Sequence, residues 1–227
     1  MKNSPLSKLF SDSYAVIWDM DGVLIDSEPY HFLTHRQALS EVEVSITENF
    51  YITHGVSADP HTFYATAFAQ ADKAFDEAIF VHVNARKLEL YKQMQHDKGI
   101  KLIQPAVAIA KRLYNNGTLM AIASQVSREE VVRNLRNTGI LHYFPVIVAG
   151  GDFGLAKKPA PDIYLKAVEL LNMTPDSCIA IEDSHNGAES AVAANIPCLV
   201  VTNHFTENQK FPASAIHTTF AEIAAAI

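Results

Sequence analysis

The stretch Ala15–His31, AVIWDMDGVLIDSEPYH, decides the fold. It opens on the apolar run Ala15-Val16-Ile17-Trp18, and Asp19 and Asp21 follow at once. A short apolar run of this kind reads as a strand buried on both faces, as in a parallel sheet. In open α/β sheets ligands sit beyond the carboxyl ends of the strands. Residues two apart in extended chain point the same way, so Asp19 and Asp21 would face one point. Like charges that close raise each other's pKa unless a cation lies between them. A hard cation such as Mg2+, which prefers oxygen ligands, fits that need. On its own the pair also fits a simple turn in which Gly22 supplies a positive φ.

Working outward, the same pattern recurs. The runs LMAIAS (119–124), PVIVAG (145–150), CIAIE (178–182) and PCLVV (197–201) read as further buried strands. Between them lie helical patterns. AVAIAKRLYNNG ends on Gly117, and SREEVVRNLRNTG offers Ser127 and Glu130 as a capping box and ends on Gly139. PDIYLKAVELLN starts on Pro161, and NGAESAVAANI follows the fourth strand. The alternation predicts a doubly wound, Rossmann-like α/β core formed by residues 1–28 and 97–227. Residues 29–96 differ: YHFLTHRQALSEV, ADPHTFYATAFAQADKAF and EAIFVHVNARKLELYKQMQ show helical periodicity and no strand alternation. They predict an inserted helical-bundle domain, with Phe63, Tyr64, Phe68 and Phe75 in its core.

Composition narrows the function. The chain has 227 residues, is 48% hydrophobic and carries a net charge of −7. It has no basic block, which argues against nucleic acid as a partner. No apolar run approaches membrane-spanning length, and MKNSPLSKLFSDSY has no apolar signal-peptide core, so the expectation is a cytoplasmic protein without a membrane partner. Cys178 and Cys198 read as two small buried hydrophobes. A monomer or weak dimer is expected.

Three further features fall at strand ends. In CIAIEDSHNG an apolar run again delivers acids, Glu182 and Asp183, and then a turn and a helix; Ser184 or Asp183 can also cap that helix. Ser124 ends LMAIAS, where a hydroxyl and helix N-terminal amides can cradle an anion. In LAKKPAPD, Lys157 and Lys158 precede two prolines that hold the chain extended, and a lysine so fixed can face an anion.

In order, Asp19-x-Asp21 with Gly22, Ser124, Lys158 before Pro159, and Glu182-Asp183 resemble the four motifs of the haloacid dehalogenase-like hydrolases. The resemblance spans nearly the whole chain. KKPAPDIYL and IEDSHNGAESAVAANI are similar to the β-phosphoglucomutase and small-sugar phosphatase subgroup, whose helical cap is inserted after the first strand. Lys157, where the subgroup often has glycine, and Gln125, where a small residue commonly follows the serine, depart from it. The resemblance implies Asp19 as nucleophile and Asp21 as general acid and base. It implies Ser124, Gln125, Gly22 and Lys158 around the phosphoryl group, and Mg2+ held by Asp19, Asp21, Asp183 and Glu182. In the cap it implies substrate contacts from His31 and Lys87 and a substrate loop HGVSADP, where Gly55 would allow the turn. His31 and His35 also fit a helix-surface pair, and Lys87 a solvated helix face.

The implied activity is a Mg2+-dependent phosphatase of small phosphorylated metabolites, with sugar phosphates foremost, working through an aspartyl-phosphate. A phosphohexomutase using the same intermediate is the alternative. In the mutase pattern an arginine follows the cap's GVS; here Ala58 follows Gly55-Val56-Ser57, and no arginine stands between Arg36 and Arg86. From another class, a catalytically silent binding or regulatory module is a third reading, since fold alone does not imply activity.

Overall fold

The computed structural model describes residues 4–227. In chain order the elements are α1 (Pro5–Asp12), β1 (Ala15–Trp18), α2 (Glu28–Ser40), α3 (Glu48–His54), α4 (Pro60–Gln70), α5 (Glu77–Lys98), α6 (Gln104–Asn115), β2 (Leu119–Ser127), α7 (Arg128–Asn137), β3 (Val146–Gly150), α8 (Asp162–Leu171), β4 (Cys178–Glu182), α9 (His185–Ala193), β5 (Cys198–Val200), β6 (Ile216–His217) and α10 (Phe220–Ala226). They form two compact units, the helical one being Ser27–Ile100. That unit reaches slightly beyond the interval 29–96, because α5 runs to Lys98 and stops only at Gly99, whose φ is 75°.

The α/β unit holds a six-stranded sheet in the order β3-β2-β1-β4-β5-β6. Every pairing is parallel, so the fold is doubly wound as the alternation predicts. β1 is central: Ala15 pairs with Leu119 on one side and Cys178 on the other. All four of its residues are buried, which is why the run is continuously apolar. The odd-numbered residues Ala15, Ile17, Ala121 and Ala123 pack with Ile163, Tyr164 and Ala167 of α8 and Ala188 and Ala191 of α9. The chain leaves β1 for β2 on one side and later returns to β4 on the other. That reversal between β1 and β4 opens a crevice at their carboxyl ends.

Several elements depart from the sequence expectation. β2 continues three residues past Ser124, and its ladder with β3 shifts between Ala123 and Ser127. At α7 only the serine half of the Ser127–Glu130 box forms. The Ser127 hydroxyl accepts the Glu130 N–H, while the Glu130 carboxylate lies 3.8 Å from Arg133 instead. α1, β6 and α10 lie where no element was expected.

Where the chain leaves and re-enters the α/β unit, the two passes are joined. The Asp26 N–H donates to the Lys101 carbonyl at 2.9 Å, the Ile103 N–H to Leu24 at 2.9 Å, and Lys101 Nζ to Asp26 at 2.6 Å.

The helical unit has its own core, which includes Phe32, Leu39, Tyr51, Phe63, Tyr64, Phe68 and Leu90. Phe75 is only half-buried, against the ring of Phe68, because α4 ends at Gln70 and the chain turns through Asp72 at a φ of 52°. α3 was not read from the sequence. Gly55 caps α3 at a φ of −107°, so it does not provide a left-handed turn; the positive φ of 59° falls on Ser57. Glycine is needed at 55 for space, since a Cβ there would stand 2.4 Å from the Tyr51 ring.

Candidate active site

Asp19 is the first residue past β1, yet its N–H still donates to Ile181 of β4 at 3.0 Å. It is therefore fixed to the neighbouring strand and is 8% exposed. The next turn is tight: Gly22, at a φ of 79°, donates its N–H to Ile25 at 2.8 Å. A Cβ at Gly22 would come within 2.0 Å of Asp183 Oδ2, so both the backbone angle and the carboxylate demand glycine.

β4 ends in the fully buried Glu182, and Asp183 follows. Ser184, not Asp183, caps α9 by accepting the Gly187 N–H. The first turn of α9 passes so close to Glu182 that a Cβ at Gly187 would lie 2.1 Å from its carboxylate.

Lys158, on the loop before α8, reaches into this crevice; its bond to Pro159 is cis. Its Nζ donates to Asp19 Oδ1 at 2.6 Å, Glu182 Oε1 at 2.6 Å and the Ala123 carbonyl at 2.9 Å. Those are all three ammonium hydrogens. Burial alone would lower the Lys158 pKa; the carboxylates of Asp19 and Glu182 outweigh it and hold the amine above its ordinary range. For Asp19 burial dominates and pushes the carboxyl well up; Lys158 opposes this, and Glu182 and Asp21 add to it.

One oxygen each from Asp19, Glu182 and Asp183 lies within 4.8 Å of the others. Four carboxylates, Asp19, Asp21, Glu182 and Asp183, stand against one ammonium here. Hard oxygen donors with surplus negative charge suit a divalent cation of the Mg2+ type. Asp21 is half-buried and bridges to Ile25 in the turn. Ser124 is 1% exposed, within β2 at its irregularity instead of at its end, and its Oγ accepts the Val126 N–H at 3.3 Å. Gln125 is exposed, and Lys157 is exposed beside the buried Lys158. A Cβ at Gly150 would stand 1.9 Å from the Gln125 carbonyl, so that glycine lets β3 lie against the irregular stretch.

Two side chains in this cluster escaped the sequence reading. The Tyr164 hydroxyl donates to Glu182 Oε1 at 2.7 Å, and the Tyr164 ring centroid lies 5.0 Å from Lys158 Nζ. Burial, and then the charges of Glu182 and Asp19, push the phenol well above its usual pKa, so it stays a donor. Tyr164 occupies an apolar position of α8 and reads as core. Asn203 Nδ2 donates to Asp183 Oδ2 at 2.8 Å. Asn203 is itself fixed, its N–H donating to Thr206 Oγ1 and its Oδ1 accepting the Phe205 N–H. It stands three residues past β5, near the carboxyl end of that strand, and that position is the signal that could have found it.

His31 and Lys87 belong to the helical unit, where neither is a solvated surface residue. Lys87 is 7% exposed. Its Nζ lies 2.9 Å from His31 Nδ1 and 5.0 Å from the centroid of the Tyr91 ring, on which His31 stacks at 4.4 Å. Burial, then Lys87, then His35 hold His31 well below its ordinary pKa, so Nδ1 accepts from the ammonium. His35 is buried beside it and bonds to the Tyr64 hydroxyl at 3.0 Å. His31 is half-buried with one face against the Tyr91 ring, and His35 is buried among the rings of Tyr51, Phe63 and Tyr64.

Comparison with known proteins places this cluster in a wider setting. The family profile of the haloacid dehalogenase-like hydrolases matches residues 16–201. The chain is 30% identical over 211 residues to Protein SUPPRESSOR OF QUENCHING 1, chloroplastic, of Arabidopsis thaliana, covering 90% of this chain but only 20% of that much longer relative. It is 29% identical to the phosphorylated carbohydrates phosphatase of Thermotoga maritima, over 80% of this chain and 82% of that one. In fold it is similar to the crystal structure of a predicted phosphoglycolate phosphatase from Haemophilus somnus, with a TM-score of 0.82 at 22% identity over 94% of this chain and 97% of that one. No helix among the described residues is long and apolar enough to cross a membrane.

Proposed function

The chain belongs to the haloacid dehalogenase-like hydrolases, and from that premise we propose that it is a Mg2+-dependent phosphatase of small phosphorylated metabolites, sugar phosphates foremost. The observation that carries the reading is Lys158 Nζ set between Asp19 and Glu182, at 2.6 Å from each, with Asp183 beside them at the switch point of the sheet. A carboxylate must be ionised to attack phosphorus; burial works against that at Asp19, and the Lys158 contact opposes the burial. Substrate specificity is assigned by analogy with the Thermotoga phosphatase named for phosphorylated carbohydrates.

In this reading an Asp19 carboxylate oxygen attacks the phosphorus, the bond to the leaving oxygen breaks, and Asp21 gives that oxygen its proton. An aspartyl-phosphate forms on Asp19. Asp21, now a base, takes a proton from water, and the water opens the acyl phosphate and regenerates Asp19. Ser124, Gln125 and the amides that follow them take the phosphoryl oxygens, with Gly22 in the turn that carries Asp21 and Lys158 supplying positive charge. Asp19 and Asp183, with the Asp21 backbone carbonyl, would hold Mg2+, which when bound neutralises charge on the transferring phosphoryl group. Glu182 enters that set through its place beside Asp183, although its Oε1 is already engaged by Lys158 and Tyr164. The helical unit is assigned the cap role, with His31 and Lys87 reading the leaving group.

Phosphatase is favoured over mutase because Ala58 stands where an arginine would grip a second phosphate. The test is release of phosphate from p-nitrophenyl phosphate with and without Mg2+, followed by a panel of sugar phosphates. Mg2+-dependent release is expected. Full activity in excess chelator would overturn the metal reading. Phosphorus NMR on β-glucose 1-phosphate separates the two activities: glucose 6-phosphate accumulating faster than inorganic phosphate would make the protein a mutase.

A further inference from the structure

We infer that Tyr164 is a positioning residue for phosphoryl transfer: its hydroxyl fixes the Glu182 carboxylate in the orientation that holds Lys158 against Asp19. The inference rests on the assignment of Asp19 as nucleophile. It adds a residue that none of the four motifs contains.

Glu182 has two oxygens and several donors. Oε1 accepts the two short bonds, from Lys158 Nζ at 2.6 Å and from the Tyr164 hydroxyl at 2.7 Å. Oε2 accepts only longer ones, from the Asp183 N–H at 3.3 Å and the Ser184 hydroxyl at 3.4 Å. A carboxylate can rotate about its own axis and carry its lysine with it. The phenol, on a helix buried against the sheet, removes that freedom. Lys158 has no hydrogen left over, so any swing of Glu182 Oε1 pulls Nζ from its bond to Asp19 Oδ1.

The covalent layout reinforces this. Lys158 and Tyr164 are six residues apart, one before α8 and one in its first turn, and so approach Glu182 as parts of one backbone segment. The Tyr164 ring also lies 5.0 Å from the ammonium. Phenylalanine would fill the same volume and keep that ring contact. Only the hydroxyl distinguishes tyrosine, and burying a hydroxyl is unfavourable unless it finds a partner. Here the partner is a buried carboxylate, a charge-assisted bond.

The test is a double-mutant cycle of Y164F and E182Q, read by kcat and KM for p-nitrophenyl phosphate at saturating Mg2+, by thermal melting, and by calorimetric binding of orthovanadate. Y164F is expected to lower kcat about tenfold and weaken orthovanadate about tenfold, with KM within about twofold and the melting temperature little changed. E182Q, which keeps the side-chain shape, is the second variant and should lose at least as much kcat. In the E182Q background Y164F should then change kcat by less than about twofold. Wild-type kcat and orthovanadate affinity in Y164F overturn the inference. So does an equal loss in both backgrounds, which would mean Tyr164 acts elsewhere, and so does wild-type kcat in E182Q. A wild-type protein that binds orthovanadate without turnover overturns the phosphatase reading alone, and the orthovanadate cycle then judges Tyr164. A wild-type protein that does neither overturns both.

Discussion

Among the described residues each unit buries one lysine, Lys158 near carboxylates and Lys87 near histidines, and the two are treated in opposite ways. Lys158, 6% exposed, bonds to two carboxylates and a carbonyl. Lys87, 7% exposed, faces the ring nitrogen of His31 and the Tyr91 ring. In the first case the partners pull the amine pKa up; in the second the amine helps push its neighbours, His31 and His35, down. Burial of a charge is tolerated where opposite charge and hydrogen bonds surround it. Lys158 is therefore part of a fixed ionic lattice, and Lys87 a charge that bonds to a neutral imidazole.

The largest effect should come from Asp19→Asn, which leaves Lys158 its shape complement but removes the attacking oxygen and one negative charge. Turnover of p-nitrophenyl phosphate should fall on the order of 10⁴-fold or more while circular dichroism stays native. A folded variant with near-wild-type turnover would remove Asp19 from the mechanism and break the comparison at its centre.

Stability gives the direct contrast. Lys158→Met leaves Asp19 and Glu182 buried without their cation and should cost about 3–5 kcal/mol in denaturant unfolding. Lys87→Met removes the donor to the His31 imidazole and is expected to cost less. Equal losses would mean the two lysines are alike after all.

The next effect concerns Asp183. Asn203→Ala frees Asp183 Oδ2 from the bond that orients it, and outer ligands of this kind are typically worth roughly 10–100-fold in metal affinity. The half-saturating Mg2+ concentration should rise by that order while kcat at saturating Mg2+ stays within a few-fold. An unchanged Mg2+ requirement would assign Asn203 to the loop alone.

The smallest effect is set by the histidines. Their folded pKa values lie well below the ordinary 6.5, so below about pH 6.5 the unfolded chain binds more protons than the folded one. Stability is then full above that pH and declines as pH falls through it, each histidine adding up to about 1.4 kcal/mol per pH unit to the slope. Melting curves from pH 7.5 to 5 should show the decline. In Lys87→Met, NMR titration should find His31 raised but still below 6.5, because burial, the larger cause, remains. A His31 that titrates normally in the wild type would overturn the buried reading of the pair.

How much of this was legible in the sequence depends on where the cause lies. β1 and β4 were readable to within a residue, because strands buried on both faces must be apolar throughout and their first polar residues, Asp19 and Glu182, mark the crevice. Gly22 was readable as a turn glycine, but the pressure of Asp183 on its missing Cβ was not, since the two are far apart in sequence. Tyr164 was hidden for the same reason: its helix position obeys the apolar period, and only the fold brings Glu182 to its hydroxyl. β6 spans two exposed residues, too few to display any period. The burial of His35 and Lys87, and the partial burial of His31, depend on how the four helices of their own unit pack, and polar residue types at helical spacing suggest the opposite.

The joined passes at Asp26 and Lys101 carry a consequence for modularity. The entropic cost of an excursion in the chain depends on holding its two ends together and grows only logarithmically with what lies between. Here the ends are already fastened within the sheet-bearing unit, by Asp26 to Lys101 and by Leu24 to Ile103. The seventy-odd residues beyond them hang from a closed doorway. Evolution or an engineer can therefore exchange that segment for another of different length without reopening the frame that holds the carboxylate cluster.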